Sequence, residues 1–277
     1  MRAAAVQLTS TEDTDRNLEA ADRLTRAAAG EGAELVVLPE RADIRGRDEA
    51  YEAGAQPLDG SRFVEWARGA ARELGIDLVA GSFAERRAGH DKLSNTSLHV
   101  GPDGEVKAVY RKIHMFDVVV GDIEYRESAL HEPADEVVVS ETADGVPLGL
   151  TICYDLRFPE LYRILALRGA RVVTIPSNFT KVTGAAHWEV LVRARAIENQ
   201  VFVIAPGQFG PQLPKGESYG GSMIVDPWGE VLARAPDGEG FVTADLDMGR
   251  QDEVREKLPS LANRIPGAYR WPEGVTA

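Results

Sequence analysis

The sequence predicts an α/β fold with mixed sheets. Three observations predict it: short β-branched runs alternate with helical spacing along the whole chain, Gly-rich turns set some strands side by side as hairpins, and no composition shift or linker divides the chain. Two sheets with helices outside, an αββα sandwich, fit the element count. One large doubly wound sheet fits the same pattern. The expectation is one domain over 1–277.

The elements follow in order. AAAVQLT at 3–9 reads as a strand. From Asp13 to Ala29, Leu18, Ala21, Leu24 and Ala28 recur at helical spacing, with Gly30 suited to the C-cap. ELVVLPE at 34–40 is an apolar strand stopped by Pro39. Residues 61–75 are helical, with Phe63, Ala67, Ala70 and Leu74 on one face and Gly75 as the stop, and IDLVAGSFAE at 76–85 is a strand. TSLHV and EVKAVYRK flank Gly-Pro-Asp-Gly, a hairpin signal. In the second half, VVVSET, VPLGLTIC, RVVTIP and VFVIAP read as strands. FPELYRILALRGA is a helix with Pro159 in its first turn, and 186–200 is another. SMIVD and EVLARA form a hairpin across Pro-Trp-Gly, and FVTADLD follows. The tail from about Leu258, with Pro259, Pro266 and Pro272, reads as an extended arm.

Charge narrows the function classes. Lys plus Arg is 31 and Asp plus Glu is 44 in 277 residues, so the net charge is −13. That argues against binding to nucleic acid or an anionic membrane, both of which need basic surfaces. There is no apolar run of 18 residues, and the first residues lack the long apolar stretch of a signal peptide, so a cytoplasmic protein without a membrane span is expected. A single cysteine, Cys153, excludes an internal disulfide. No histidine pair has metal-ligand spacing, so no metal is expected; no organic cofactor is expected either.

Cys153 stands where a strand runs into a helix, at the rim where α/β proteins place ligands, and a helix N-terminus favours a thiolate. Tyr154, Asp155 and Arg157 crowd beside it, more polar groups than a buried strand end requires. A cysteine nucleophile needs a base. Among the histidines, His90 and His131 lie in polar stretches and read as exposed, His99 alternates within a strand, and His114 and His187 sit near element ends. A carboxylate is the other option: Glu40 closes an apolar strand, where partial desolvation makes a usable base. Lys112 closes another and could hold an oxyanion. Each also has a plain reading: Cys153 as a small buried hydrophobe, Glu40 as a capping acid, Lys112 as an edge charge.

LPE at 38–40, YRKIHMFDV at 110–118, ICYDLRFPEL at 152–161, HWEVLVRARAIENQ at 187–200 and SYGGSMIVDPWGEVLA at 218–233 together resemble the nitrilase superfamily of carbon–nitrogen hydrolases, across Ala3 to Asp247. The resemblance implies an αββα sandwich and a catalytic Glu40, Lys112 and Cys153, with Glu127 as a second glutamate that positions the amide nitrogen or holds Lys112. It lies nearest the amidase branch acting on deaminated glutathione or α-keto acid ω-amides. Glu40 would deprotonate Cys153, the thiolate attack the amide, Lys112 and the Tyr154 N–H hold the oxyanion, ammonia leave, and water hydrolyse the thioester. A homodimer or higher oligomer is implied too.

Expected substrate contacts are Tyr154, Phe116 and Asn178, with Arg157 a candidate, beside Arg193 and Arg195, for the cation that a substrate carboxylate needs. Arg193 and Arg195 read as an ion-pair face, Trp188 as core, and His187 as a hydrogen-bonded helix start. Arg41, Asn178, Phe179 and the 207–221 loop depart from the family pattern, so they bear on specificity. N-carbamoyl or nitrile hydrolysis on the same residues, a Cys–His hydrolase using His114 or His187, and a non-enzymatic binding protein are the alternatives.

Overall fold

The computed structural model describes residues 1–212 and 216–270. Within them, alternation of side chains along the N-terminal strand sets the layers. Ala3 and Ala5 face one buried cluster, and Ala4 and Val6 face another. The first cluster continues into Leu35, Val37 and Val79, then into Leu148, Leu150, Val203 and Ile224 of a second sheet. The second holds Ala21, Leu24 and Ala28 of the Thr14–Gly30 helix and Phe63, Ala67 and Ala70 of the Arg62–Leu74 helix. On the far side, Leu161 and Leu165 of the Pro159–Leu167 helix and Val192 and Ala196 of the Glu189–Asn199 helix cover the second sheet. The order is helix, sheet, sheet, helix, so of the two predicted arrangements the protein adopts the αββα sandwich rather than one doubly wound sheet.

The first sheet has seven strands among the described residues. Gly240–Asp245, Arg2–Gln7, Leu35–Val37, Asp77–Val79, Ser94–Val100 and Phe83–Glu85 lie in that order, and Val106–Arg111 pairs with Ser94–Val100. The second has six: Val231–Arg234, Met223–Val225, Phe202–Ala205, Val172–Thr174, Pro147–Leu150 and Val139–Glu141. Both mix parallel and antiparallel pairs.

Of the two glycine stops expected, Gly75 caps its helix, whereas Gly30 is the last helical residue of the first helix and Glu31 is its cap. The Asp13 side chain accepts from the Asp15 and Arg16 N–H groups, and Gly75 closes its helix in the left-handed conformation. The predicted strand over 76–85 breaks in two at Gly81. Gly81 has φ +64, and a Cβ there would stand 2.1 Å from the Pro39 carbonyl oxygen, so only glycine lets the chain pass the Glu40 loop so closely.

Elements the sequence reading does not predict include the Asp48–Gly54 helix, the Asp117–Val120 and Ile123–Arg126 hairpin, the Glu127–Leu130 turn, the Lys181–Thr183 turn, the Phe209–Pro211 and Glu217–Tyr219 strand pair and the Met248–Lys257 helix. The described part of the tail, 258–270, is not an extended arm. Asn263 N–H donates to the Pro259 carbonyl and residues 266–268 form a 3-10 turn, so it runs in successive turns. Pro272 and residues 213–215 of the 207–221 loop lie outside the described residues. None of the described helices is long and apolar enough to cross a membrane.

Candidate active site

Three strand ends open into one cleft of about 810 Å³, lined among others by Glu40, Arg41, Tyr51, Lys112, Phe116, Glu127, His131, Cys153, Tyr154 and Asn178. Glu40 follows Pro39 past Leu35–Val37, and Lys112 follows Val106–Arg111, with its N–H held by the Asn95 carbonyl. Lys112 Nζ donates to Glu40 Oε1 at 2.9 Å and to Glu127 Oε2 at 2.8 Å. Burial alone would lower the Lys112 pKa. The charges of Glu127 and Glu40 outweigh it and hold the ammonium well above its usual range.

Cys153 begins the short 3-10 turn Cys153–Arg157 with φ +49, a conformation that non-glycine residues rarely take. Asp155 pins that turn. Its Oδ2 accepts from the Ile152 N–H and the Tyr110 hydroxyl, and its Oδ1 from the His114 N–H and ring Nδ1. The Cys153 N–H donates to the Pro176 carbonyl, and the Asn178 N–H points at Sγ from 3.5 Å. Burial pushes the thiol well up, the Glu40 charge pushes it further, and Lys112 opposes both. Burial and the neighbouring Glu40 thus oppose the thiolate that a helix terminus would favour.

Glu127 is saturated with donors. Oε1 accepts from Arg41 Nη2 at 3.0 Å and Asn95 Nδ2 at 3.2 Å; Oε2 accepts from Lys112 and, at 2.8 Å, from the Phe116 N–H. Burial raises its pKa, but the Lys112 and Arg41 charges pull it far below the carboxylate range. Of the two tasks expected of Glu127, four donors on four lone pairs fit holding Lys112 and leave none for an amide nitrogen.

His131 corrects another expectation. It is 2% exposed rather than solvated, and Arg41 Nη1 lies 3.0 Å from its Nε2. Since guanidinium only donates, Nε2 is the acceptor and the ring is neutral. Burial, then the Arg41 charge, push its pKa down to about 3.

His114 is tied to Asp155 and stacked on Phe158, and His187 lies against Arg157. Neither lines the cleft among the described residues, which disfavours a Cys–His pair. His99 is buried between Asp77 and Ser140, and His90 pairs with Glu132.

Of the expected substrate contacts, Tyr154, Phe116 and Asn178 line the cleft. Arg157 does not; it sits over the Tyr154 and Phe179 rings. Arg195 is buried on the Leu156 carbonyl and Glu198, Arg193 donates to the Gly229 carbonyl, and Trp188 is buried with its ring N–H on the Gly221 carbonyl. The reading missed Asn95, which also donates to Glu40 Oε1 at 2.8 Å, and the partners of Arg41. Among the described residues no group of three His, Cys, Asp or Glu side chains could hold a metal.

The arrangement can pass a proton from sulfur to a carboxylate beside a fixed ammonium. Comparison with known proteins gives the same class of chemistry. Residues 2–256 match the carbon-nitrogen hydrolase family. The chain is 42% identical over 275 residues to a Bos taurus protein named deaminated glutathione amidase, covering 96% of this chain and 82% of the relative. It superposes on Saccharomyces cerevisiae Nit3, a member of branch 10 of the nitrilase superfamily, with TM-score 0.85 and 33% identity, covering 94% of each chain. A Glu-to-Gln variant of an amidase from Nesterenkonia sp. AN1, with acrylamide added to its active-site cysteine, superposes with TM-score 0.77 at 28% identity, covering 94% of this chain and 98% of that one.

Proposed function

The chain belongs to the carbon-nitrogen hydrolase family, and from that premise we propose that it is an amidase of deaminated glutathione or related α-keto acid ω-amides. One observation carries the reading. Lys112 Nζ reaches Glu40 at 2.9 Å inside a cleft that Cys153 also lines, although these residues come from three strand ends and both sheets. That sharing also supports a single catalytic domain.

Glu40 takes the thiol proton as sulfur attacks the carbonyl carbon. Lys112 and the Tyr154 N–H stabilise the oxyanion, one such donor being worth about 3–4 kcal/mol. The protonated Glu40 passes its proton to the leaving nitrogen, leaving a thioester on Cys153. Water then gives one proton to Glu40 and its hydroxide to the acyl carbon, and the returning proton regenerates the thiol. The leaving group depends on the amide. A simple carboxamide gives ammonia, whereas the γ-glutamyl-type bond of deaminated glutathione gives an amine.

Cleft volume favours the longer amide. About 810 Å³ is in the range that encloses a drug-sized ligand. Asn178 supplies a donor beside the nucleophile. Buried Arg45 donates to Ser218 Oγ at 2.6 Å, so the Ser218 hydroxyl donates to Asn178 Oδ1 at 2.5 Å and leaves Nδ2 for a substrate oxygen. Tyr154 and Phe116, edge to face at 5.1 Å, form an aromatic wall.

The assay follows ammonia and primary amine from deaminated glutathione, α-ketoglutaramate, an N-carbamoyl amino acid and an aliphatic nitrile, with Cys153→Ala as the control. Turnover of either of the first two, absent in the control, is expected. Turnover confined to the last two replaces the amide by a carbamoyl or nitrile substrate, and a control as active as wild type removes Cys153 from the mechanism.

A cytoplasmic homodimer completes the proposal. It is supported by the unpaired Cys153 and by exposed Ile164, Leu167, Val190 and Ile197 on two adjacent helices. A monomeric mass by light scattering would refute the dimer.

A further inference from the structure

We propose that Arg41 is a positioning residue for the hydrolysis: its guanidinium fixes the Glu127 carboxylate that aims Lys112 into the cleft. The inference rests on the amidase reading and names a residue that reading does not need.

Arg41 holds φ +62, although a left-handed backbone disfavours any residue with a Cβ. Such a conformation persists where the surroundings over-determine it, and it clusters at functional sites. Here three contacts impose it. The Arg41 N–H donates to Ser82 Oγ at 2.9 Å, the Ala42 N–H donates to the Ser82 carbonyl, and Gln208 Nε2 spans the Glu40 and Arg41 carbonyls. The backbone turns sharply after Glu40, and the next side chain is delivered into the same cleft.

The guanidinium then lies 4.2 Å above the Tyr51 ring, which the Asp48–Gly54 helix carries. That contact sets its plane. Nη1 meets His131 and Nη2 meets Glu127 Oε1, on the opposite side of the carboxylate from Lys112. Two cations thus grip one buried anion from two sides, and the saturated carboxylate cannot rotate without breaking charged hydrogen bonds. His131 faces Arg41, Glu127, Lys112 and the edge of Tyr51; burial and then the Arg41 charge hold it neutral, so loss of Arg41 removes one of the forces against its protonation.

Substitution by glycine separates backbone from side chain, because glycine takes φ +62 without strain. With deaminated glutathione as the probe, Arg41→Gly is expected to stay folded at the assay temperature while melting about 6–15 °C below wild type, as when a buried ion pair is broken from one side, to lose about 10- to 100-fold in kcat, and to change KM little, the scale seen when a group that orients a functional side chain is removed. Millimolar guanidinium chloride should restore part of that kcat, and acidification should restore part as well, since a protonated His131 can then face Glu127. Wild-type kcat in Arg41→Gly overturns the proposal, as does a loss confined to KM or one that neither guanidinium nor acid relieves. Should Arg41→Gly fail to fold, Arg41→Lys decides: it keeps the charge but cannot reach both partners, and wild-type kcat in it overturns the proposal. No turnover of any amide by wild type would instead sink the amidase reading, and this inference with it.

Discussion

Replacing Glu127 by Gln tests whether a single carboxylate organises the buried charges. The change keeps shape and removes one negative charge from between two cations. Arg41 Nη2 and Lys112 Nζ stand 3.0 and 2.8 Å from it, and the Lys112 and Glu127 side chains are 1% and 8% exposed. At an effective dielectric of 20, each such pair attracts by about 5–6 kcal/mol. Desolvating Glu127 consumes much of that, and breaking a buried pair from one side costs about 3–5 kcal/mol. The amide adds a steric reason: its NH₂ would face two of the four donors now satisfied by oxygen. For a chain of this length each kcal/mol lowers Tm by about 2–3 °C, so a fall of about 6–15 °C is expected. Thermal melts by circular dichroism at neutral pH measure it, with Glu124→Gln as the control, since among the described residues exposed Glu124 pairs only with exposed Arg126 and should move Tm by about 1 °C or less. A Glu127→Gln variant melting within about 2 °C of wild type would refute the charge-hub reasoning.

Other outcomes follow from the same geometry. Glu40→Gln should lower kcat by about 10²–10⁴-fold, the usual contribution of a general base, while mass spectrometry still finds Cys153 alkylated by acrylamide; unchanged turnover would remove the base assignment. Asn178→Ala should lower kcat/KM by about 5- to 10-fold, the value of one hydrogen bond at roughly 1 kcal/mol, and wild-type kcat/KM would show that Nδ2 does not meet the substrate. Burial raises the Asp43 carboxyl from 3.8 to about 7, and its Oδ1 has no partner among the described residues. The folded chain therefore keeps a proton that the unfolded chain releases above pH 4, so this group's stabilisation is full below pH 4 and is lost as pH rises to 7. Asp43→Asn should flatten the stability profile over that window, by at most about 4 kcal/mol, and denaturant titrations at pH 4.5 and 7.5 with an unchanged slope would contradict it.

Glu40, Lys112 and Cys153 were legible because each closes an apolar strand with a polar group, a local signal. Glu127 carries no local signal, being the first residue of a four-residue turn, and only the family resemblance points to it. Arg41 and His131 stood out little, because their partners lie 86 to 90 residues away in sequence. Asn95 sits in a strand buried on both faces, where period-two alternation says nothing. The Met248–Lys257 helix escaped for another reason. Its sequence, MGRQDEVREK, has no apolar stripe, and it is held by Gln251 and Arg255 bonded to the Arg171, Gln200 and Ala170 carbonyls. Gly121 and Asp122 between two valine- and tyrosine-bearing runs are a readable two-residue hairpin loop that the sequence reading passed over.

That hairpin joins two residues with fixed posts. Lys112 and Glu127 are 15 positions apart and bonded to each other, while the intervening Asp117–Arg126 segment contributes Asp122 to Arg126 to the cleft wall. The interval therefore behaves like an interchangeable visor on a bolted frame. Its length and side chains can be rewritten, by evolution or by grafting, to admit bulkier or differently charged acyl chains while the ammonium and its anchor keep their spacing.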